Sequence, residues 1–184
     1  MKKLLTALSL ALLATTAVAQ ECSIDLPRSA SNTRFAVNNN GTVKDLQTGL
    51  TWMRCPLGMS FADGQCTGAA EPLTWQAALT QAQAINNVDG EHALHNFGGM
   101  TEWRLPNIKE LVNLTEQACH SPALNDRAFG SAYSLIDELP YEATSLWSST
   151  SNADGSVWSF DVFNGETYFR SLSDTYSVLL VADK

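Results

Sequence analysis

The chain has 184 residues, 45% of them hydrophobic, and 11 basic against 19 acidic side chains give a formal net charge of −8. That balance opposes binding to nucleic acid or to anionic lipid, both of which are held by clustered Lys and Arg. The length suits a single domain with a core of its own.

Lys2 and Lys3 form a positive n-region, Leu4 through Leu13 a short apolar run, and Ala17-Val18-Ala19 before Gln20 a small-x-small cleavage site. Residues 1–19 therefore read as a cleavable signal peptide, because the run falls short of the roughly 20 apolar residues that span a bilayer. Glu21, directly before Cys22, argues against a lipid-anchored cysteine. Removing Lys2 and Lys3 leaves nine basic residues against 19 acidic ones, a mature charge near −10. No later run is apolar enough to insert into a membrane, so the expected location is periplasmic or secreted, including a surface-associated form.

Four cysteines, Cys22, Cys55, Cys66 and Cys119, in an oxidising compartment imply two disulfides, with three pairings open. Cys55 and Cys66 flank a short loop rich in Gly and small residues and form the natural local pair. Cys22 would then tie an N-terminal arm over residues 20–33 to Cys119. No C-x-x-C occurs, and no histidine is spaced with the cysteines as a zinc site requires.

Short strands are expected over 34–37, 42–46 and 50–54, punctuated by the Asn38-Asn39-Asn40-Gly41 turn and by Thr48-Gly49. Thr74 caps a helix whose Trp75, Ala78, Leu79, Ala82 and Ile85 recur at helical spacing. A second helix begins at Asn107, with Glu110 placed as in a capping box and Pro106 just outside. Residues 119–144 read as irregular. Strands follow over 146–151, 156–163, 166–172 and 176–182, with Asp154-Gly155 and Asn164-Gly165 marking tight hairpins. Strands, then two helices, then a β meander indicate an α+β fold with an antiparallel sheet.

Four stretches form a connected pattern: Thr48-Gly49-Leu50-Thr51-Trp52-Met53-Arg54-Cys55-Pro56, Thr74-Trp75-Gln76-Ala77-Ala78, Trp103-Arg104-Leu105-Pro106-Asn107 and Trp147-Ser148-Ser149-Thr150. The pattern closely resembles the Lcl C-terminal domain family, named after the end domain of a bacterial collagen-like adhesin, with the domain taken as 34–184. The resemblance implies a C-type-lectin-like fold, two helices packed on a twisted antiparallel sheet, related at a distance to the formylglycine-generating enzyme domain. It also implies adhesion. The naming adhesin is a trimer that binds sulfated glycosaminoglycans, whereas this chain lacks a collagen-like stalk and is strongly acidic.

A lectin-like fold presents ligand through its late loops, which makes Trp147 and Trp158 candidate stacking residues. Asn152, Asp154, Asp161, Asn164 and Glu166 gather in the same hairpins the oxygen groups that hold sugar hydroxyls. The same oxygens would suit calcium, but the ordered Asp-x-Asp-x-Asp-Gly loop is missing and no cofactor is expected. Hydrolase, zincin and phosphate-loop motifs are absent, and no cysteine follows Cys119 as in the formylglycine-generating relatives. The expected function is an exported, non-catalytic module that recognises a glycan or a cell-envelope protein. The alternative is a structural accessory subunit of an envelope or pilus-type assembly; either role is compatible with a homo-oligomer.

Overall fold

The computed structural model describes residues 20–133 and 136–183, so the expected signal peptide over 1–19 lies outside the described residues. The chain is α+β, and its named strand pairs are antiparallel. In chain order, β1 (Glu21–Cys22) opens an arm, and β2 (Phe35–Val37), β3 (Thr42–Asp45) and β4 (Thr51–Met53) form the first meander. A small hairpin of β5 (Ser60–Ala62) and β6 (Gln65–Thr67) precedes β7 (Leu73–Thr74), which runs into α1 (Trp75–Asn86). Next come α2 (Ile108–Asn113), β8 (Cys119–His120) and two single-turn helices, α3 (Asp126–Phe129) and α4 (Tyr141–Thr144). The late meander is β9 (Ser145–Ser151), β10 (Val157–Asp161) and β11 (Thr167–Arg170), and β12 (Thr175–Tyr176) and β13 (Val181–Ala182) close the chain.

Two expectations need correction. The single twisted sheet is in fact a four-stranded sheet ordered β13-β4-β3-β2, a three-stranded sheet ordered β11-β10-β9 and three strand pairs. The expected strand over 176–182 splits, β12 pairing with β7 and β13 with β4. The reason is burial: Ser177, Val178, Leu179 and Leu180 have no exposed surface, so the run does not alternate but passes through the core. It stitches both sheets together, since Trp147 donates its amide to the Ser177 carbonyl and Met53 donates to that of Leu180. The second correction is that α3 and α4 stand inside the stretch read as irregular. Asn125 caps α3 by accepting from the Ala128 amide at 2.9 Å, but a four-residue helix shows no apolar period.

The helices form where capping and spacing place them. Thr74 accepts from the Ala77 amide, and α1 buries Ala78, Ala82 and Ile85 on one stripe. The hairpin glycines Gly155 and Gly165 stand at φ of 87° and 79°, which tight turns between paired strands require. The core gathers Trp52, Trp103 and Trp147 with Phe129, Phe160 and the 178–181 run. Cys22 pairs with Cys119 and Cys55 with Cys66, as the spacing suggested. Two disulfides fit an extracellular or periplasmic compartment. Among the described residues no helix is long and apolar enough to cross a membrane.

Candidate functional site: a cleft between helix α2 and the late meander

The Trp103-Arg104-Leu105-Pro106-Asn107 block builds one wall of the main cleft. Trp103 is buried, and its backbone is clamped by the Asn86 amide, which accepts at 2.8 Å and donates at 2.7 Å. Arg104 bridges to Val181 through the backbone while its guanidinium donates to Glu110 at 2.8 and 2.9 Å and to Asp183 at 2.7 Å. Hydrogen bonds to Glu110, then to Asp183, hold the Arg104 pKa above its ordinary value. Glu110 also completes the capping box with Asn107, so one carboxylate both starts α2 and fixes it to the chain end.

The Trp147-Ser148-Ser149-Thr150 stretch docks α2 against the meander. Between Val157 and Ser159 the register of β10 against β9 shifts, a β-bulge in which Ser148 to Thr150 lie opposite Trp158. Ser148 Oγ donates to the Trp158 carbonyl at 2.7 Å, the Ser149 amide donates to the Pro106 carbonyl at 2.7 Å, and the Ile108 amide donates to Thr150 Oγ1 at 3.0 Å. A bulge of this kind re-aims a side chain relative to the regular pleat.

The N-terminal arm forms the opposite wall. Ser29 Oγ donates to the Thr115 carbonyl at 3.0 Å and accepts from the Gln117 amide at 2.7 Å. Glu116, buried beneath, accepts from the amides of Ser29, Ala30 and Ala118 at 3.0 to 3.1 Å. Burial opposes its ionisation, but these amides outweigh burial and hold the carboxyl below its usual range. Arg34 reaches across the arm, giving one nitrogen to the Asn113 carbonyl at 2.8 Å and two to Asp45 at 2.6 and 2.8 Å.

Between these walls lies a cleft of about 810 Å³. Its lining carries charge at Arg34, Lys109 and Glu110 and is otherwise neutral. Gln47, Asn113, Gln117, Ser29 and Thr167 offer neutral amides and hydroxyls, while Ile108, Val112 and Trp158 offer apolar surface. Trp158 packs against its cross-strand neighbour Phe169, which lies beside the cleft, with ring centroids 3.8 Å apart and planes inclined by 41°, and Phe169 is 50% exposed. Such a mixture of aromatic surface and convergent polar groups is the usual make-up of a small-ligand site.

The residues expected from sequence are not brought together. Trp147 is fully buried, its Nε1 donating to the Leu73 carbonyl at 2.7 Å and its ring packed edge-on to Tyr176; this corrects its reading as a stacking residue. Asn152 and Asp154 sit exposed in the β9–β10 turn and satisfy it, Asn152 accepting from Ala153 and Asp154 from Ser156. Asn164 and Glu166 sit in the β10–β11 turn, where the Glu166 amide donates to Asn164 and Tyr168 donates its hydroxyl to Glu166. Consecutive turns of a meander lie at opposite ends of the shared strand, so the two groups face away from each other across the length of β10. Asp161 is buried, caps the second turn through the Phe163 amide, and has its pKa raised by burial. Of the seven, Trp158 alone lines the cleft.

Sequence reasoning missed Phe169 and the α2 side chains. Phe169 was within reach, because folding the chain about Asn164-Gly165 sets it opposite Trp158. The contributions of Ile108, Asn113 and Gln117 depend on the docking of the arm and α2, which leaves no local pattern. No curated protein matches the chain. The model of the Lcl C-terminal domain does match, over residues 41–182, and the chain belongs to that family.

Proposed function

We propose that the protein is a non-catalytic, C-type-lectin-like binding module of the cell envelope or its exterior, and that it recognises a glycan in the α2 cleft. Family membership is compatible with a binding module of this kind. The observation that carries the reading is Trp158 set into a wall of amides and hydroxyls, with Phe169 packed against its ring from the neighbouring strand. A partly exposed indole offers apolar surface to the C–H face of a sugar ring, while amides donate to and accept from its hydroxyls. Of the two cations that line the cleft, Arg34 is committed to Asp45, while Lys109 makes no ion pair among the described residues and stands on the same wall as Glu110. One uncommitted cation beside a carboxylate favours a neutral or singly charged saccharide over a polyanion.

Catalysis is not part of the proposal. Glu110, the carboxylate in the cleft wall, is engaged in capping and ion pairing, and Asp161 is buried in a turn. A glycan array probed with the wild type and with Trp158→Ala tests the reading. Saccharide binding lost in a variant that still folds is the expected outcome; binding that survives unchanged removes the cleft from consideration. A structural subunit of an envelope or pilus-type assembly is the second reading, favoured by the unpaired outer side of β11.

A further inference from the structure

The late meander ends in a strand with one bare side. Its order is β11-β10-β9, which leaves β11 at an edge. Along a strand the peptide groups alternate in direction. The Asp161 amide donates to the Glu166 carbonyl at 2.8 Å, which turns Glu166 toward β10. Alternation then turns Tyr168 and Arg170 the same way and aims the N–H and C=O of Thr167 and Phe169 outward. Among the described residues no backbone bond from Thr167 or Phe169 reaches an element other than β10. The edge has no Pro, no Lys and no bulge in its pairing with β10; what guards it is its length of four residues and the charge of Arg170 at its end.

The charges flanking this edge are complementary but separate. Arg170 lies against the rings of Tyr141, Tyr168 and Tyr176 at 5.1, 4.7 and 5.4 Å and donates to Ser159 Oγ at 3.3 Å and to the Tyr141 hydroxyl, neutral partners only. Among the described residues it makes no ion pair, and it must turn from Ser159 to meet a carboxylate beyond the edge. Glu166 is exposed and accepts from Tyr168 and Asn164. Four residues apart on an extended chain, the two lie roughly 13 Å from each other and do not meet within one copy.

We propose that β11 pairs antiparallel with β11 of a second copy, centred on Tyr168, to join two three-stranded sheets into one across a two-fold axis. In this register Thr167 faces the partner's Phe169 and Phe169 faces the partner's Thr167, each pair exchanging both N–H···O bonds. All outward peptide groups of the strand are then used. Glu166 faces the partner's Arg170, and Arg170 the partner's Glu166, so the two unpaired charges of each copy are matched at both ends. A slide of two residues sets Glu166 against Tyr168 and leaves an outward group bare, and a slide of one sets outward groups against inward ones. Cross-strand neighbours share a face, so both Trp158–Phe169 surfaces would open on the same side, a bivalent arrangement. The pairing itself does not depend on what the clefts bind.

Sedimentation equilibrium of the purified protein over a concentration series tests it. A reversible dimer is expected. Phe169→Pro removes an outward N–H while sparing the ladder to β10, and should raise the dimer dissociation constant by about tenfold or more. Glu166→Arg and Arg170→Glu should each weaken the dimer by about threefold to tenfold, and the double exchange should restore it to within about threefold of wild type. Circular dichroism shows which variants fold; should Arg170→Glu fail through loss of its ring contacts, Phe169→Pro and Glu166→Arg still decide. A protein that stays monomeric up to its solubility limit overturns the proposal. So does a dimer indifferent to Phe169→Pro, or a monomer whose edge takes up an unrelated extended peptide instead.

Discussion

The four-stranded sheet and the late meander each bury one carboxylate, and the two are driven in opposite directions. Asp45, in β3, is 1% exposed and meets Arg34 at 2.6 Å. Burial opposes its charge, yet bonds from Arg34, Thr48 and the Gln47 amide outweigh burial and hold its pKa below the usual value. Asp161, in β10, is 5% exposed and has the Phe163 amide as its close donor, so burial prevails and its pKa is raised. The same contrast runs through the side chains, since β4 and β13 are buried throughout while β11 is half-exposed. One sheet commits these strands to the core, and the other keeps an exposed strand, the surface on which the proposed binding would draw.

The largest effects should fall on the committed side. Arg34→Ala leaves Asp45 buried without its cation, and urea unfolding should show a loss of about 3–5 kcal/mol. Trp147→Ala, which opens a cavity beside Tyr176, should cost a similar amount by the same measurement, about 3–5 kcal/mol. Trp158→Ala, although in the adjacent strand, should cost no more than about 1–2 kcal/mol, because its ring is partly exposed. A loss for Trp158→Ala as large as for Trp147→Ala would erase the distinction between them.

Acid sharpens the contrast. Because the folded pKa of Asp45 lies below its ordinary value of 3.8, the stability from its ionised form is present above that pH. It is lost as pH falls through the folded value. Asp161 has the opposite sign: its raised pKa means that stability is greatest below 3.8 and declines as pH rises through the folded value. Asp45→Asn should therefore destabilise at pH 7, whereas Asp161→Asn, which keeps an oxygen for the Phe163 amide, should be neutral or stabilising by about 1 kcal/mol or less. Smallest of all, Asn152→Ala should change stability by only about 0.5 kcal/mol and Asp154→Ala should leave the unfolding midpoint essentially where it is, both with binding intact, since each serves its own exposed turn.

What was legible in sequence follows the reach of each physical signal. The Asn164-Gly165 and Asp154-Gly155 turns and the capping pair Asn107 and Glu110 act over a few residues, and the elements they mark form. The two disulfides followed from cysteine count and loop length. The 176–182 run misled because a segment buried on every side has no alternation to show its partners. Trp147 and Trp158 look alike as strand tryptophans; a bulge opposite Trp158 and the passage of Ser177 beside Trp147 separate them, and both are long-range facts. The polar cluster failed for a topological reason, since turns that are close in sequence stand at opposite ends of a meander strand.

Recognition in the α2 cleft, and not in the buried framework, would move one tryptophan and spare the others. Indole N–H signals of the five tryptophans, followed by NMR during titration with saccharides that score on an array, test it most directly. Trp158 should shift in a saturable manner while Trp52 and Trp103, each no more than 1% exposed, stay in place. Saturable binding that leaves Trp158 unmoved, or an array on which the folded protein binds no saccharide, would contradict it.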